Sequence, residues 1–219
     1  MDWSPLFISL RAACLATVIA FILGILAAWG VVQLRGKIRA VIDGLFTLPL
    51  VLPPTVLGFF LLCIFGARSP AGKALARIGI HIVFDWKGTV AAAAVVAFPL
   101  VYRTVRASFE QIDASVIAAA RTLGISEWLI FTRIMVPVSK PGVTAGTILA
   151  FTRALGEFGA TLMLCGDIPG KTETIPVAIW SAAYGGNMFR ALVWVLVIVL
   201  ISFATITAMN FAGTEEKRI

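Results

Sequence analysis

Charge-free apolar runs recur along this chain at lengths that suit membrane crossings. The first extends from Ala12 to Leu34, long enough to span with some tilt. It is too long for the apolar region of a signal peptide, and no A-x-A site follows it. The second lies within Gly44–Ala67 and carries Pro49, Pro53 and Pro54. The third runs from about Gly88 to Tyr102, and its continuation to Val105 lets Arg103 snorkel to the interface. The fourth, about Gly142–Leu164, is interrupted by Arg153 and Glu157, whereas the fifth, Ala191–Thr214, carries no charge. A polar segment, Arg106 to Lys140, separates the third run from the fourth. A loop rich in Gly, Pro and Thr, about Cys165–Arg190, separates the fourth from the fifth. Backbone in lipid must satisfy its own hydrogen bonds, and these runs are too long for barrel strands, so the spans are helices. The pattern predicts an all-α polytopic membrane bundle of five transmembrane helices. A sixth short or re-entrant helix has room within 71–84 or 172–184. No repeat or soluble domain interrupts the chain, so residues 1–219 form a single domain.

Composition agrees and narrows the class. Of 219 residues, 60% are apolar and 13% charged, with a mean hydropathy of +0.99. Soluble domains carry about 45–50% apolar and about 25% charged residues, so a soluble domain, a disordered chain and a nucleic-acid-binding module are excluded. The net charge of +7 is spread over short basic clusters between the apolar runs. With the N-terminus outside, Lys and Arg 35, 37, 39, 103, 106, 121, 133, 140, 217 and 218 fall inside, ten in all. Seven fall outside: 11, 68, 73, 77, 87, 171 and 190. This excess has the sign of the positive-inside rule, giving N-out, C-in, with Glu215-Glu216-Lys217-Arg218 in the cytoplasm.

The polar segment has helix punctuation. Asp113 suits an N-cap for a helix through Leu123, in which Ala118, Ala119 and Ala120 favour helix strongly. Gly124 suits the left-handed residue that ends it. Ser126 can cap a second helix with Glu127 in its first turn, and Trp128, Leu129, Phe131 and Ile134 give that helix an apolar side. Pro137 and Pro141 break the chain before the next span. The run Ala118-Ala119-Ala120-x3-Gly124-x9-Ile134-x-Val136-Pro137 resembles the EAA loop of binding-protein-dependent ABC transporter permeases, E-A-A-x3-G-x9-I-x-L-P. It departs twice, with Ala118 for Glu and Val136 for Leu. The resemblance implies that residues 106–140 hold a coupling helix docking into a cleft of an ABC ATPase subunit. Ala118, Ala119, Ala120, Leu123, Gly124, Trp128 and Pro137 are then the coupling residues.

Two further stretches are similar to molybdate permease subunits. One is Leu48-Pro49-Leu50-Val51-Leu52-Pro53-Pro54-Thr55. The other is Gly156-Glu157-Phe158-Gly159-Ala160-Thr161, followed by Ile168-Pro169-Gly170-Lys171-Thr172 and Thr174-Ile175-Pro176. The likeness implies a permease homodimer, with a second copy of this subunit, an ABC ATPase and an extracytoplasmic substrate-binding protein that delivers an oxyanion, molybdate first. Sulfate/thiosulfate and tungstate permeases share parts of these motifs and are the alternatives. A secondary transporter working without an ATPase is opposed by the EAA-like segment and by the lack of paired inverted halves.

An ionisable residue within a span is expensive, roughly 2.5–3.5 kcal/mol for Arg, and faces a bundle interior or water. Arg153 and Glu157, four apart, would share one helix face. They either line the conduit or neutralise each other as a packing pair. With Pro49, Pro53, Pro54, Thr55 and Thr161 they are the candidate translocation residues. Gly142-x3-Gly146 suits close helix contact. Gly166-Asp167-Ile168-Pro169-Gly170-Lys171-Thr172 imitates a phosphate-binding loop, but has three residues between its glycines where the motif needs four. No other nucleotide-binding motif is present, so ATP hydrolysis falls to a separate subunit and the chain is not an enzyme. Cys14, Cys63 and Cys165 lack metal spacing and His81 is the lone histidine, so no metal site or cofactor is expected.

Overall fold

The computed structural model describes residues 2–215, with side chains to residue 208. It is helical, with no strand among the described residues. The helices are α1 (Ser4–Val32), α2 (Gly36–Val51), α3 (Pro54–Phe65), α4 (Pro70–Arg77), α5 (Trp86–Glu110) and α6 (Ala114–Thr122). They continue with α7 (Glu127–Ile130), a π-turn at Phe131–Met135, α8 (Val136–Val138), α9 (Lys140–Leu155), α10 (Gly159–Cys165), α11 (Ile175–Tyr184) and α12 (Met188–Glu215). Among the described residues three helices, α1, α5 and α12, are long and apolar enough to cross a membrane, and five spans result if each bent pair counts as one. The charged tail beyond Glu215 lies outside the described residues.

The centre of the bundle is α1 packed on α5, with α9 across both. Small residues make this possible. Ala13, Ala16, Ala20 and Ala28 of α1 are fully buried, and a Cβ on Gly24 would stand 2.8 Å from the Val101 side chain. On α9 a Cβ at Gly142 would run into the Ser108 hydroxyl, and one at Gly146 would lie 3.1 Å from Thr104 Cβ. The Gly-x3-Gly pattern is therefore a packing seam against α5. Helix α1 starts eight residues before the charge-free run, because Arg11 stays within the helix and lays its guanidinium 3.7 Å over the Trp86 ring.

Two expected spans are broken. The second divides at Leu52-Pro53, where the chain turns 113°. Neither Pro53 nor Pro54 has an N–H, so the ladder of α2 stops and Pro54 opens α3 from the first helical position. The fourth divides at Gly156–Phe158 into α9 and α10. The chain also bends 76° at Ser139, where α8 meets α9. The two half-helices α3 and α10 then lie side by side in the same direction. A Cβ on Gly159 would be 2.9 Å from Pro54 Cβ, and one on Gly58 would be 2.7 Å from Met163 Cβ. Both positions require glycine for that approach.

Ends of the bundle are distinguishable. The C-terminal ends of α1 and α5, the start of α2, and α6–α8 share one end. There Arg106 pairs with Asp43, Arg39 with Glu110, and Tyr102 donates to Asp43 at 2.8 Å. The opposite end holds the starts of α1 and α5 together with residues 166–175. That loop is tied inward by Ile175 N–H donating to Ser9 Oγ at 2.7 Å and by Lys171 to Asp85 at 3.4 Å. One extra short helix is expected within 71–84 or 172–184, and both stretches hold one, α4 from Pro70 and α11. Helix α11 has ten residues, too few to cross.

Candidate coupling segment and translocation pathway

Residues 113–138 fold as local hydrogen-bond chemistry dictates. Asp113 caps α6 by accepting from Ser115 N–H at 2.8 Å, and that bond holds its carboxyl below the usual range. At the other end Gly124 takes φ +74°. Its N–H donates to Arg121 O at 3.0 Å and Ile125 N–H to Ala120 O at 3.1 Å, the paired bonds of a Schellman turn. Ser126 then caps α7 from Leu129 N–H at 3.4 Å. Across the turn Arg121 grips Glu127 with two bonds, 2.6 and 3.1 Å, which lower the Glu127 carboxyl.

The expected coupling residues separate by burial. Ala120 is buried, while Ala118, Ala119, Leu123, Gly124, Trp128 and Pro137 are exposed. Val116 is also exposed, and with Ala119 and Leu123 (79% exposed) it forms an apolar row at i, i+3, i+7 on the outer face of α6. Val116 was not among the coupling residues read from the motif, although the same spacing from Ala119 would have found it. The apolar side of the second helix differs from expectation. Ile130, Phe131 and Met135 are buried, with Ile134 half-buried, while Trp128 and Leu129 face outward. The π-turn Phe131–Met135 adds backbone to one turn and so rotates the helix after it, which a regular 3.6-residue period cannot anticipate. Phe131 stacks on Trp29 of α1 with centroids 4.8 Å apart, and Trp128 meets the same ring edge-on at 5.9 Å.

The pathway candidates also divide. Arg153 and Glu157 do pair, Nη1 to Oε2 at 2.8 Å, but not along one continuous helix. Helix α9 ends at Leu155, and Glu157 lies in the break, where its Oε1 accepts Ala160 N–H at 2.8 Å. The carboxylate thus satisfies an orphan donor of α10 and a guanidinium together. Glu157 is 3% exposed, whereas the Arg153 side chain is one-third exposed. Pro53, Pro54 and Thr55 are exposed, and Pro54 and Thr55 sit against Gly159, so both chain breaks meet beside the Arg153–Glu157 pair. Pro49 lies apart, on α2 beside an apolar cleft of 630 Å³. Thr161 is 1% exposed and faces packed interior, since α10 buries it against its neighbours. The imitation phosphate loop is a folded turn in which the Thr172 hydroxyl accepts Ile168 N–H at 3.1 Å. No cluster of His, Cys, Asp or Glu suited to a metal occurs among the described residues.

A helical membrane bundle with a two-helix segment at one end and two interrupted spans meeting inside is the architecture of an ABC importer permease. Solved structures agree on the fold. A bacterial ABC transporter importing alginate matches 99% of this chain and 79% of its own, at a TM-score of 0.75 and 15% identity. The inward-facing MetNI methionine ABC transporter matches 96% and 94%, also at 0.75, with 14% identity. Residues 20–212 match the model of the binding-protein-dependent transport system inner membrane component, and the chain belongs to that family. It is 44% identical to the putative molybdenum transport system permease protein YvgM of Bacillus subtilis (strain 168), over 92% of this chain and 89% of that one. Identity to the molybdenum transport system permease protein ModB of Escherichia coli (strain K12) is 38%, over 99% and 96%. The sulfate transport system permease protein CysT of the same strain is 35% identical over 79% of this chain and 62% of its own.

Proposed function

We propose that this chain is the permease subunit of an ATP-driven importer of molybdate, working as a pair of copies with a separate ATPase and an extracytoplasmic binding protein. Near-full-length identity to two molybdenum permeases supports the substrate. The observation that carries the transport reading is internal: two discontinuous half-helices start at one depth beside the Arg153–Glu157 ion pair, which lies at the break of a span. Interrupted helices are tolerated in a membrane where they line a cavity or meet neighbouring helices, and carriers build substrate sites from them. Arg153 is thirteen residues into α9, about 20 Å from its start at 1.5 Å per residue, and so lies within the bilayer. One-third exposed there, the guanidinium faces a partner subunit or water, since lipid would leave it unsolvated.

Arg153 attracts the dianion, and its bond to Glu157 keeps that attraction weak enough for release. The apolar row Val116, Ala119 and Leu123 is the docking face for the ATPase. Closure of the ATPase dimer on ATP moves α6, and the aromatic joint to Trp29 carries that movement into the spans. In this reading the coupling end is cytoplasmic, the N-terminus is outside and the C-terminus is inside. The test is uptake of radiolabelled molybdate in a strain deleted for its own permease and supplied with this transporter. Molybdate should compete fully and sulfate weakly. Uptake blocked equally by sulfate would replace molybdate with a broader oxyanion, and uptake independent of the ATPase would refute the class.

A further inference from the structure

We propose that the end of the bundle opposite the coupling segment holds a binding site for an anionic phospholipid, formed by α4 and the irregular stretch that follows it. Between the end of α3, α4 and residues 80–84 lies a concavity of 730 Å³. Its floor is apolar, with Leu62, Phe65, Ile82 and Val83, and its rim carries Lys73, Arg77 and His81. Lys73 and Arg77, four apart on α4, share one helix face. Neither has a carboxylate partner among the described residues, and no acidic residue occurs between Asp43 and Asp85. The basic rim is thus uncompensated, whereas Arg39, Arg106 and Arg121 at the coupling end are each paired with a carboxylate.

The site lies at headgroup level. Helix α5 begins at Trp86, next to it, and the stretch from there to Val105, before the charged turn of Arg106 and Glu110, rises about 29 Å, close to the roughly 30 Å of a hydrocarbon core. Its first turn therefore lies at the headgroup boundary. Ile78 and Phe84, 69% and 58% exposed, flank the cations. Phe84 is held at φ 55°, an uncommon conformation for a bulky residue, by its N–H donating to Leu164 O at 3.3 Å. Exposed apolar side chains set between cations describe a segment lying in a membrane interface, rather than a face washed by water. An inorganic oxyanion would find cations at the rim but no donor on the floor. An amphiphile with a phosphate headgroup and an acyl chain satisfies both halves of the site.

The test titrates phosphatidylglycerol and phosphatidylcholine against the delipidated permease in complex with its ATPase, read by native mass spectrometry. Phosphatidylglycerol should bind in preference, and added salt should weaken it. Lys73→Gln/Arg77→Gln should lower its affinity about 25-fold, at about fivefold for each cation near a membrane surface. Arg77→Lys should retain most of it. Equal affinity of the wild type for the two lipids overturns the proposal without recourse to any variant. So does displacement of the lipid by millimolar molybdate or phosphate, which would make the rim an oxyanion vestibule. A photo-crosslinker at Phe84 that captures the binding protein in place of lipid would overturn it too, by making the surface a protein dock.

Discussion

Gly124 is where the coupling segment is most open to a clean perturbation. At φ +74° a residue with a Cβ costs about 1–2 kcal/mol relative to glycine. An ideal Cβ there has no atom within 4 Å, so the cost is torsional and no clash confuses it. Asn tolerates the left-handed region and should be nearly neutral, Ala should show the full backbone cost, and the β-branched Val should exceed it. The Schellman turn is reported by the Ile125 amide, bonded to Ala120 O. Its exchange with deuterium should accelerate about 5- to 30-fold in Gly124→Ala, the factor that about 1–2 kcal/mol sets on a local opening equilibrium. Uptake in proteoliposomes, and the stimulation of ATP hydrolysis by loaded binding protein, should fall in the order Asn, Ala, Val while the bundle still inserts. Equal exchange and equal coupling across the three variants would refute the turn as the mechanical link.

Arg153→Ala should abolish uptake or lower expression, because it leaves the Glu157 carboxylate unpaired in a buried site; normal transport by Arg153→Ala/Glu157→Gln would make the pair structural and remove it from the pathway. A Cys at Glu127 should be shielded from an impermeant thiol reagent in intact cells and one at Lys171 should react, with the reverse pattern overturning the orientation. Glu127 is held below the ordinary glutamate value by Arg121, so its contribution to the α6–α7 turn is complete above about pH 4.3 and is lost as pH falls through the lowered folded value. The protection factor of the Ile125 amide, which sets its exchange against the intrinsic rate at each pH, should therefore fall on acidification in the wild type and stay constant through that window in Arg121→Gln.

The residues that were legible from sequence act through neighbours close along the chain. Asp113, Gly124 and Ser126 were readable because caps and left-handed turns depend on the next three or four residues. The prolines at 53 and 54 are visible in the sequence as lost backbone donors, but the 113° angle of the break goes with α3 docking on α10 through Gly58, a contact between segments about a hundred residues apart. Tyr102 to Asp43 and Ile175 to Ser9 are separated by 59 and 166 residues, and no periodicity encodes them. The Arg153–Glu157 pair was found by spacing alone, yet the spacing suggested an unbroken helix. What breaks it is Gly156 followed by a carboxylate able to cap the next helix.

Helix α1 acts as a connecting rod. Near one end, Trp29 is stacked on Phe131 beside the coupling turn, and towards the other, Ser9 holds the backbone of Ile175. Twenty residues of uninterrupted helix separate these two fastenings, about 30 Å, the thickness of the hydrocarbon layer. A rod of that stiffness cannot absorb a shift at one end, so under the proposed docking of α6 on the ATPase a movement there is delivered to the loop at the far end within the same subunit. Spin labels beside Ser9 and Trp29 should therefore keep one separation with and without ATP, while the distance from either label to its counterpart in the second copy changes. A change within the rod itself would show that the two faces are driven independently.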